Sequence, residues 1–387
     1  MRDAGTCATM SDTNAGQGLC SVCLIVKNEA EHLGRCLESV KGLADEIIVV
    51  DTGSTDGTVE LARKSGARVI CAKWTNDFSR ARNLSLEAAR GKWIFVLDAD
   101  EFLEPGAREE IGRLLRSTPQ TGACGTMAFA LVQKNTGDFG RTGMMVSIVR
   151  LFPNRADVRY EWPIHEQVAT SLMRARVSIV ETSIEFLHTG YADPARNLEK
   201  QRRNLAILNA QIALNVEVYP LTWFLLGGAY LDLGDPERAL VSYSECRRLA
   251  GAETEMGRGA GVRMASCLLK LNRAAEAISG MPSHQDAVWH PELMVLRGAA
   301  EASLGRTEEA RRWLERVLGC ADGVFVPPCN LANVKAEAMA LLGTHWKDAG
   351  QLPVAVALMR LARDCHLEGR DFTRGMLAEV YRAHGVA

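Results

Sequence analysis

The sequence lacks any long apolar run and any marked excess of one charge. No window approaches the roughly 20 apolar residues that a membrane-spanning helix needs. Its 45 Lys and Arg residues nearly balance its 47 Asp and Glu residues, which leaves a formal net charge of −2. We therefore expect no general attraction to nucleic acid or to anionic membranes, and we expect any membrane association to come through a partner.

The marks of a secreted protein are also missing. Residues 1–18 have no apolar core of the signal-peptide kind and are expected to form a polar, mobile tail. The 11 cysteines are odd in number and scattered, which is typical of reduced thiols in the cytoplasm. Cys20 and Cys23 form a CxxC pair in an apolar strand with no second pair or histidine nearby. We interpret both as core residues rather than as a zinc or redox site.

What is present, in the first half of the chain, is an alternation of apolar runs and amphipathic segments. Strands are predicted in CSVCLIV, EIIVVDTGS, ARVICAKW and KWIFVLDAD. Helices are predicted in EAEHLGRCLESVKGL, TDGTVELARKSG and FSRARNLSLEAARG, the last two closed by Gly66 and Gly91. This alternation predicts an α/β domain with a parallel sheet covered on both faces. Ligands of such sheets bind at the carboxyl ends of the strands.

Polar residues follow the first two strands at those ends. Lys27, Asn28 and Glu29 come after the first strand, and the segment DTGSTDGT, at 51–58, comes after the second. Thr55 or Asp56 is expected to cap the next helix. Asp51 ends the strand itself, so it suits a hydrogen bond to a base or a ribose hydroxyl, the alternative being a turn-forming aspartate.

The fourth strand runs directly into carboxylates. Asp98 and Asp100 are two apart on an extended strand, so they point the same way and present oxygens to one cation. Such hard oxygen ligands suit magnesium or manganese. The alternative is the acid-rich start of a helix. Such a helix start explains Glu104 and Glu109, and either Glu101 or Glu104 is expected to serve that helix.

Four segments in order resemble inverting family 2 glycosyltransferases of the GT-A fold, namely VKNEAEHL, IIVVDTGSTDGT, FSRARN and FVLDADE. The resemblance covers residues 19 to about 115. It implies a nucleoside-diphosphate sugar as donor and a divalent metal, Mn²⁺ or Mg²⁺. It further implies that Asp51 and Glu29 contact the nucleoside and that Asp98 and Asp100 form a DxD pair, with Asp100 the direct metal ligand.

The same resemblance implies that Arg82 and Asn83 contact the donor, although Arg82 also suits a structural salt bridge. A later stretch resembles a subgroup whose transferase domain has an aromatic-rich segment ending in His-Glu, then His-x-Gly-Tyr, then tetratricopeptide repeats. Here these are His165 with Glu166, and His188 to Tyr191.

Two chemical roles remain for this stretch. One-step inversion needs a general base, for which Glu166 is the candidate and His165 the alternative. His188 is a candidate metal or diphosphate contact, and the plain alternative is that both histidines are structural. Tyr160 and Trp162 are expected to stack on a sugar or fill the core. Arg150 and Arg155 are expected to meet the acceptor or solvent.

The second half contains helical repeats. PARNLEKQRRNLAILNAQIALN is predicted to be one linking helix, and Trp223 begins a tetratricopeptide W-x₂-L-G-x₂-Y pattern. Turns that recur between paired helices are predicted at Gly234, Asn272, Gly305 and Gly350, and small residues for close helix contact at Ala239, Ala277, Ala310 and Ala355. Such arrays present a concave binding surface. It is predicted to bind the acceptor or a protein partner, or else only to support the fold.

The chain is thus predicted to be α/β and then all-α. The predicted segments are a tail at 1–18, a GT-A domain at 19–192, a linker helix at 193–219 and a repeat domain at 220–387. The predicted function is metal-dependent, inverting sugar transfer to a protein, peptide or glycan acceptor. The alternatives are a catalytically silent repeat scaffold and a nucleotidyltransferase, which would carry a glycine-rich basic loop where VKNEAEHL stands. A nicotinamide enzyme is excluded because no GxGxxG follows a strand.

Overall fold

A computed structural model of the chain describes most of its residues, and the statements below concern these alone. They are 20–118, 127–135, 145–189, 194–214, 218–281, 290–321, 331–368 and 374–386. The chain divides into two units, Met1–Pro194 and Ala195–Ala387, each described by itself. The predicted tail and the loop GVFVPPCN lie outside the described residues, and the predicted limits of the four segments stay a prediction.

The first unit is built around one mixed sheet. Its elements are β1 (Cys20–Val26), α1 (Leu33–Ser39), β2 (Glu46–Asp51), α2 (Thr58–Lys64), β3 (Arg68–Cys71), α3 (Phe78–Ala88), β4 (Trp93–Val96), β5 (Glu101–Phe102), α4 (Pro105–Ser117), β6 (Met127–Asn135), β7 (Met145–Pro153), α5 (Ala169–Arg174) and β8 (Ser178–His188). The strand order is β3-β2-β1-β4-β7-β6-β8-β5. The first four strands in that order are parallel, as predicted, and β7 then joins β4 in the antiparallel sense.

Alternate residues of the parallel strands build two separate cores. Val22 and Leu24 of β1 pack with Phe95 in one apolar cluster, while Cys23 packs with Ile48 in another. Successive residues of a strand point to opposite faces, so the two clusters lie on the two faces of the sheet. This is why the strands are apolar throughout rather than alternating.

Helices cover each of these faces. Leu33 of α1 and Ile111 of α4 belong to the cluster of Val22, whereas Leu86 of α3 and Leu172 of α5 belong to the other. The prediction of a sheet covered on both faces is therefore confirmed.

Of the two glycines predicted to close helices, one does so. Gly66 follows α2 with a φ of +82°, a conformation that favours glycine. The prediction for Gly91 is wrong, since α3 ends at Ala88 and is followed by the extended residue Ala89. Gly91 is needed for a different reason: a Cβ atom there would lie 2.6 Å from the Ser21 Oγ atom.

Cys20 and Cys23 are fully buried free thiols in different apolar clusters. Burial raises the pKa of the Cys23 thiol to about 12, so it stays protonated at neutral pH. The interpretation of the CxxC pair as core is confirmed. The predicted cytoplasmic location remains a prediction.

In the second unit, every described element is a helix. These are α6 (Pro194–Ala213), α7 (Pro220–Asp232), α8 (Pro236–Ala250), α9 (Glu255–Lys270), α10 (Ala274–Ser279), α11 (Pro291–Ser303), α12 (Thr307–Val317), α13 (Leu331–Asp348), α14 (Leu352–Glu368) and α15 (Arg374–Ala383). Over the described part of the chain, no helix has both the length and the apolar character to cross a membrane.

Helices α7 to α14 form four successive hairpins. Each hairpin turns at a predicted residue with positive φ, and these are Gly234 (+79°), Asn272 (+56°), Gly305 (+74°) and Gly350 (+79°). The four predicted alanines are buried in the second helix of each hairpin. The repeat prediction is confirmed at these positions.

Close packing within three of the hairpins depends on a glycine of the first helix. A Cβ atom on Gly227 would lie 2.8 Å from the Tyr243 ring, and one on Gly298 would lie 2.7 Å from Leu314. Gly343 approaches Met359 in the same way, at 2.9 Å. These distances are shorter than ordinary contacts, so larger residues would force the paired helices apart.

Adjacent glycines of α7 offer a matched test of this packing. Gly227→Ala should destabilise the chain by about 1–3 kcal/mol, because the added methyl group overpacks against the Tyr243 ring. Gly228→Ala is the control, since a Cβ atom there meets Tyr243 only at 3.7 Å. This second change should stabilise by about 0.5–1 kcal/mol through helix propensity. Urea unfolding measures both, and shifts of the same sign would contradict the account.

Candidate active site

The loops that follow β1 and β2 are tied to each other at the carboxyl ends of these strands. The backbone N–H of Asn28 donates to Ser54 Oγ, and that of Glu29 donates to Thr58 Oγ1, both at 2.8 Å. In return, the backbone N–H of Thr55 donates to Asn28 Oδ1 at 2.8 Å. Residues from two motifs therefore share one rigid edge of the sheet, as the parallel order requires.

Asp51 and Asp56 both organise the turn between β2 and α2. The Asp51 carboxylate is 4% exposed and accepts hydrogen bonds from the backbone N–H groups of Gly53 and Ser54, at 3.0 and 3.2 Å. This geometry is the turn-forming alternative, and the nucleoside contact of Asp51 and Glu29 stays a prediction. Asp56 accepts from the N–H of Thr58, the first residue of α2, but the N-cap position belongs to Gly57 rather than to Thr55 or Asp56 as predicted.

Asp98, which follows β4, is held by two arginines from two other elements. Arg82 of α3 donates from Nη2 to Asp98 Oδ1 at 2.8 Å, and Arg150 of β7 donates from Nη2 to Oδ2 at 3.2 Å. Both arginine residues are buried, at 7% and 6% exposed. Burial by itself would raise the pKa of Asp98, but the two guanidinium groups lower it below its usual range.

Glu101 is the most buried carboxylate of this edge, at 0% exposed. Its side chain accepts from Arg150 Nη2 at 2.5 Å, from Gln133 Nε2 at 2.7 Å and from the backbone N–H of Asp98 at 2.9 Å. Burial raises the pKa of Glu101 to about 7, against the opposing effect of Arg150. Glu101 thus positions Asp98 in two ways. It accepts from the backbone N–H of Asp98, and it shares Arg150 with the Asp98 carboxylate.

Of the two residues expected to serve the following helix, Glu101 lies in β5, whereas Glu104 occupies the N-cap position of α4 without a side-chain cap bond. One prediction for this region is wrong. Arg150 meets neither acceptor nor solvent, because it is buried between two carboxylates. Arg155 instead pairs with Asp157.

The predicted base candidate reaches the same arginine. Arg82 Nε donates to Glu166 Oε1 at 2.6 Å, so one guanidinium joins the end of β4 to the segment before α5. The salt-bridge role considered for Arg82 is therefore present. His165 is exposed and has a φ of +51°, a left-handed conformation uncommon for a residue other than glycine. Trp162 shares this feature, with a φ of +73°.

Asn83 and Tyr160 anchor that segment. The amide of Asn83 donates to the backbone carbonyl of Tyr160 and accepts from its N–H, both at 2.9 Å. This pairing favours a structural role for Asn83 over the predicted donor contact. The Tyr160 ring is buried against Phe152 and faces Arg82, so it fills the core rather than a sugar subsite.

Asp100 and His188 come together, as the metal prediction requires. His188 Nε2 lies 3.2 Å from Asp100 Oδ2, and its Nδ1 atom lies 2.8 Å from Asn135 Oδ1. Burial by itself would lower the pKa of His188, but the bond to Asp100 raises it above its usual value. Thr189 also donates to the Asp100 carbonyl through its N–H and its hydroxyl. Gly190 and Tyr191 lie outside the described residues.

Across the ranges that the structure describes, no three His, Cys, Asp or Glu side chains gather as a metal-binding group. Asp98 directs its oxygens to arginines, which leaves Asp100 with His188 as the pair suited to a cation. Metal ligation by Asp98, Asp100 and His188 therefore stays a prediction.

Two features of the chain bear on its family. A mixed sheet with helices on both faces carries acidic residues at the ends of its parallel strands, and a helical array follows in the chain. Residues 21–180 match the model of the family Glycosyl transferase family 2, and residues 221–252 match that of the tetratricopeptide repeat. The chain therefore contains a glycosyltransferase family 2 domain followed by a tetratricopeptide repeat, which confirms the resemblance.

Curated relatives come from bacteria and a phage. A TPR repeat-containing protein of Synechococcus elongatus is 36% identical over 231 residues, covering 57% of this chain and 54% of its own. Glycosyltransferase SunS of Bacillus subtilis is 27% identical over 223 residues, covering 57% and 51%. An uncharacterized glycosyltransferase of Rickettsia bellii is 38% identical over 100 residues, covering 26% and 34%. The chain spans about half the length of the first two relatives.

A solved structure of glucosyl-3-phosphoglycerate synthase from Mycobacterium tuberculosis shares a more distant likeness. It is 20% identical, with a TM-score of 0.34, over 51% of this chain and 80% of that chain.

The role of Arg150, which holds Glu101, can be tested by measuring how its replacement changes the stability of the chain. Arg150→Met should destabilise the chain by about 3–5 kcal/mol, because it leaves a fully buried carboxylate without its cation. Lys134→Met on the neighbouring strand is the control, since its ion pair with Glu185 is half exposed and such pairs contribute at most about 1 kcal/mol. Urea unfolding measures both. Equal stability of the two variants would contradict the role given to Arg150.

Proposed function

We propose that the first unit transfers a sugar, with inversion, from a nucleoside-diphosphate donor to a nucleophilic group of an acceptor. One observation carries the proposal: Arg82 joins Asp98 of the DxD pair to Glu166, the base candidate, at 2.8 and 2.6 Å. Residues from three separate motifs therefore meet on one side chain. The family 2 match and the relatives that are glycosyltransferases by name support this reaction class.

The donor would lie along the carboxyl ends of β1, β2 and β4. Asp51 and Glu29 would face the nucleoside, and Asp100 with His188 would hold a divalent cation. These two side chains fit Mg²⁺ or Mn²⁺, because such ions often take only one or two protein ligands when phosphates supply the others. When bound, the cation would offset the charge on the departing diphosphate. Asp98 would orient this region through its arginines.

The transfer needs a base near the acceptor. In the proposed step the acceptor oxygen or other nucleophile bonds to the anomeric carbon as the bond from that carbon to the diphosphate oxygen breaks. The diphosphate leaves with the bonding electrons, and Glu166 takes the acceptor proton. His165 is the alternative base, since it is the exposed neighbour in the same segment.

The repeat unit would bind the acceptor or a protein partner. Four described hairpins in succession support this role, because stacked repeats form an extended surface and at least three are needed for a continuous core. An acceptor that is a protein or peptide suits such a surface, while a glycan acceptor would be bound by the first unit.

Donor binding tests the proposal. MnCl₂ with one of UDP, GDP, CDP or dTDP should raise the melting temperature of the whole chain, by an amount that corresponds to about 2.7 kcal/mol at one hundred times Kd. Asp100→Asn should abolish the shift, because it removes the negative charge that would bind the cation. The control is Asp157→Asn, an exposed partner of Arg155, which should keep it. If no nucleotide shifts the wild-type melting temperature, the chain is better described as a silent scaffold.

A further inference from the structure

The Arg82 guanidinium has three nitrogens in different situations. Nε donates to Glu166, and Nη2 donates to Asp98. Nη1 is buried and has no hydrogen-bond partner among the described residues. Buried N–H groups nearly always have a partner in folded proteins, so the unpaired Nη1 indicates a group that binds there in another state of the protein.

The chemistry of that group follows from the guanidinium. Arginine presents several N–H groups in a planar fork, which matches the paired oxygens of phosphates and carboxylates. The proposed donor brings a diphosphate to the same edge, where Asp98 and Asp100 end the strand. A phosphate oxygen is therefore the ligand class that suits Nη1.

The two carboxylates on Arg82 depend on it unequally. Asp98 is also held by Arg150, at 3.2 Å, so it keeps a cation if Arg82 moves. Glu166 is paired with Arg82 alone among the described cations. The bond from Arg82 Nε to Oε1 fixes the orientation of the Glu166 carboxylate while it persists.

We propose that Arg82 exchanges partners on donor binding. Without donor it holds Glu166, and with donor it turns its fork to the diphosphate and releases Glu166 to act as the base. This inference rests on the proposed function. It makes Arg82 a positioning residue. Glu166 is then not free to deprotonate an acceptor until the donor is bound.

Competition for Arg82 has a measurable consequence in binding. If Glu166 competes with the diphosphate, Glu166→Gln should tighten binding of the nucleoside diphosphate, because a neutral amide holds the guanidinium less strongly. We expect a gain of at least about fivefold, the lower end of typical couplings between sites. A purely structural Arg82–Glu166 pair would produce only the smaller gain that removal of any nearby negative charge gives.

The experiment is titration calorimetry of the whole chain with MnCl₂ and each of UDP, GDP, CDP and dTDP. Removing any negative charge favours an anion, so two comparisons isolate the effect of Arg82. Glu161→Gln, in the same segment and paired with Arg174, measures that general effect and should tighten binding less than Glu166→Gln does. In an Arg82→Lys background, Glu166→Gln should give no further gain, because lysine lacks the fork.

The outcomes separate the two hypotheses. Tightening by Glu166→Gln that is absent in the Arg82→Lys background supports the exchange. Nucleotide binding to wild type with no tightening, or with equal tightening in both backgrounds, overturns the exchange and leaves the proposed function standing. No binding of any nucleoside diphosphate to wild type overturns both. If Arg82→Lys does not fold, Glu166→Gln compared with wild type and Glu161→Gln still decides.

Discussion

Two guanidinium groups buried at the end of β4 make this acidic edge possible. A carboxylate removed from water without a cation costs several kcal/mol, and Asp98, Asp100 and Glu101 follow one another in a single short segment. Arg82 and Arg150 are each shared between two carboxylates. Because Asp98 touches both arginines, its orientation depends on α3 and β7 together, and a change in either alters the edge as a whole.

The sheet order brings these arginines to the edge. β7 lies antiparallel beside β4 with Phe95 opposite Leu151, so Arg150 comes next to the carboxyl end of β4. On the other side, Asp77 caps the start of α3 by accepting from the Arg80 N–H, and Arg82 follows in the same turn region. The fold thus supplies the cations from α3, which precedes β4 in the chain, and from β7, which lies beyond α4 and β6.

Local signals predict much of this structure. The apolar runs predict the four parallel strands, because a strand covered on both faces must be apolar throughout. The turns at Gly234 and Asn272 are predicted because a left-handed residue must recur between paired helices. The role of Asp56 at the start of α2, where it accepts from the N–H of Thr58, is predicted from the same kind of local signal.

Long-range contacts are where sequence reasoning fails. The buried role of Glu101 is missed because its cation, Arg150, lies 49 positions away on an antiparallel strand. An arginine inside the apolar run VSIVRLF is a signal of a buried ion pair, but it does not name the partner. Likewise, nothing near Asn83 indicates that its amide binds the backbone of Tyr160.

The central claim is that this edge of the sheet binds and activates a sugar nucleotide. The most direct measurement is a screen of sugar nucleotides with MnCl₂ and the whole chain, in which release of the nucleoside diphosphate reports hydrolysis with water as acceptor. The account predicts release from at least one donor, and a loss of about 10²- to 10⁴-fold in rate for Glu166→Gln with binding retained. A rate that Glu166→Gln leaves unchanged, or a failure of every donor to bind or react, would contradict it.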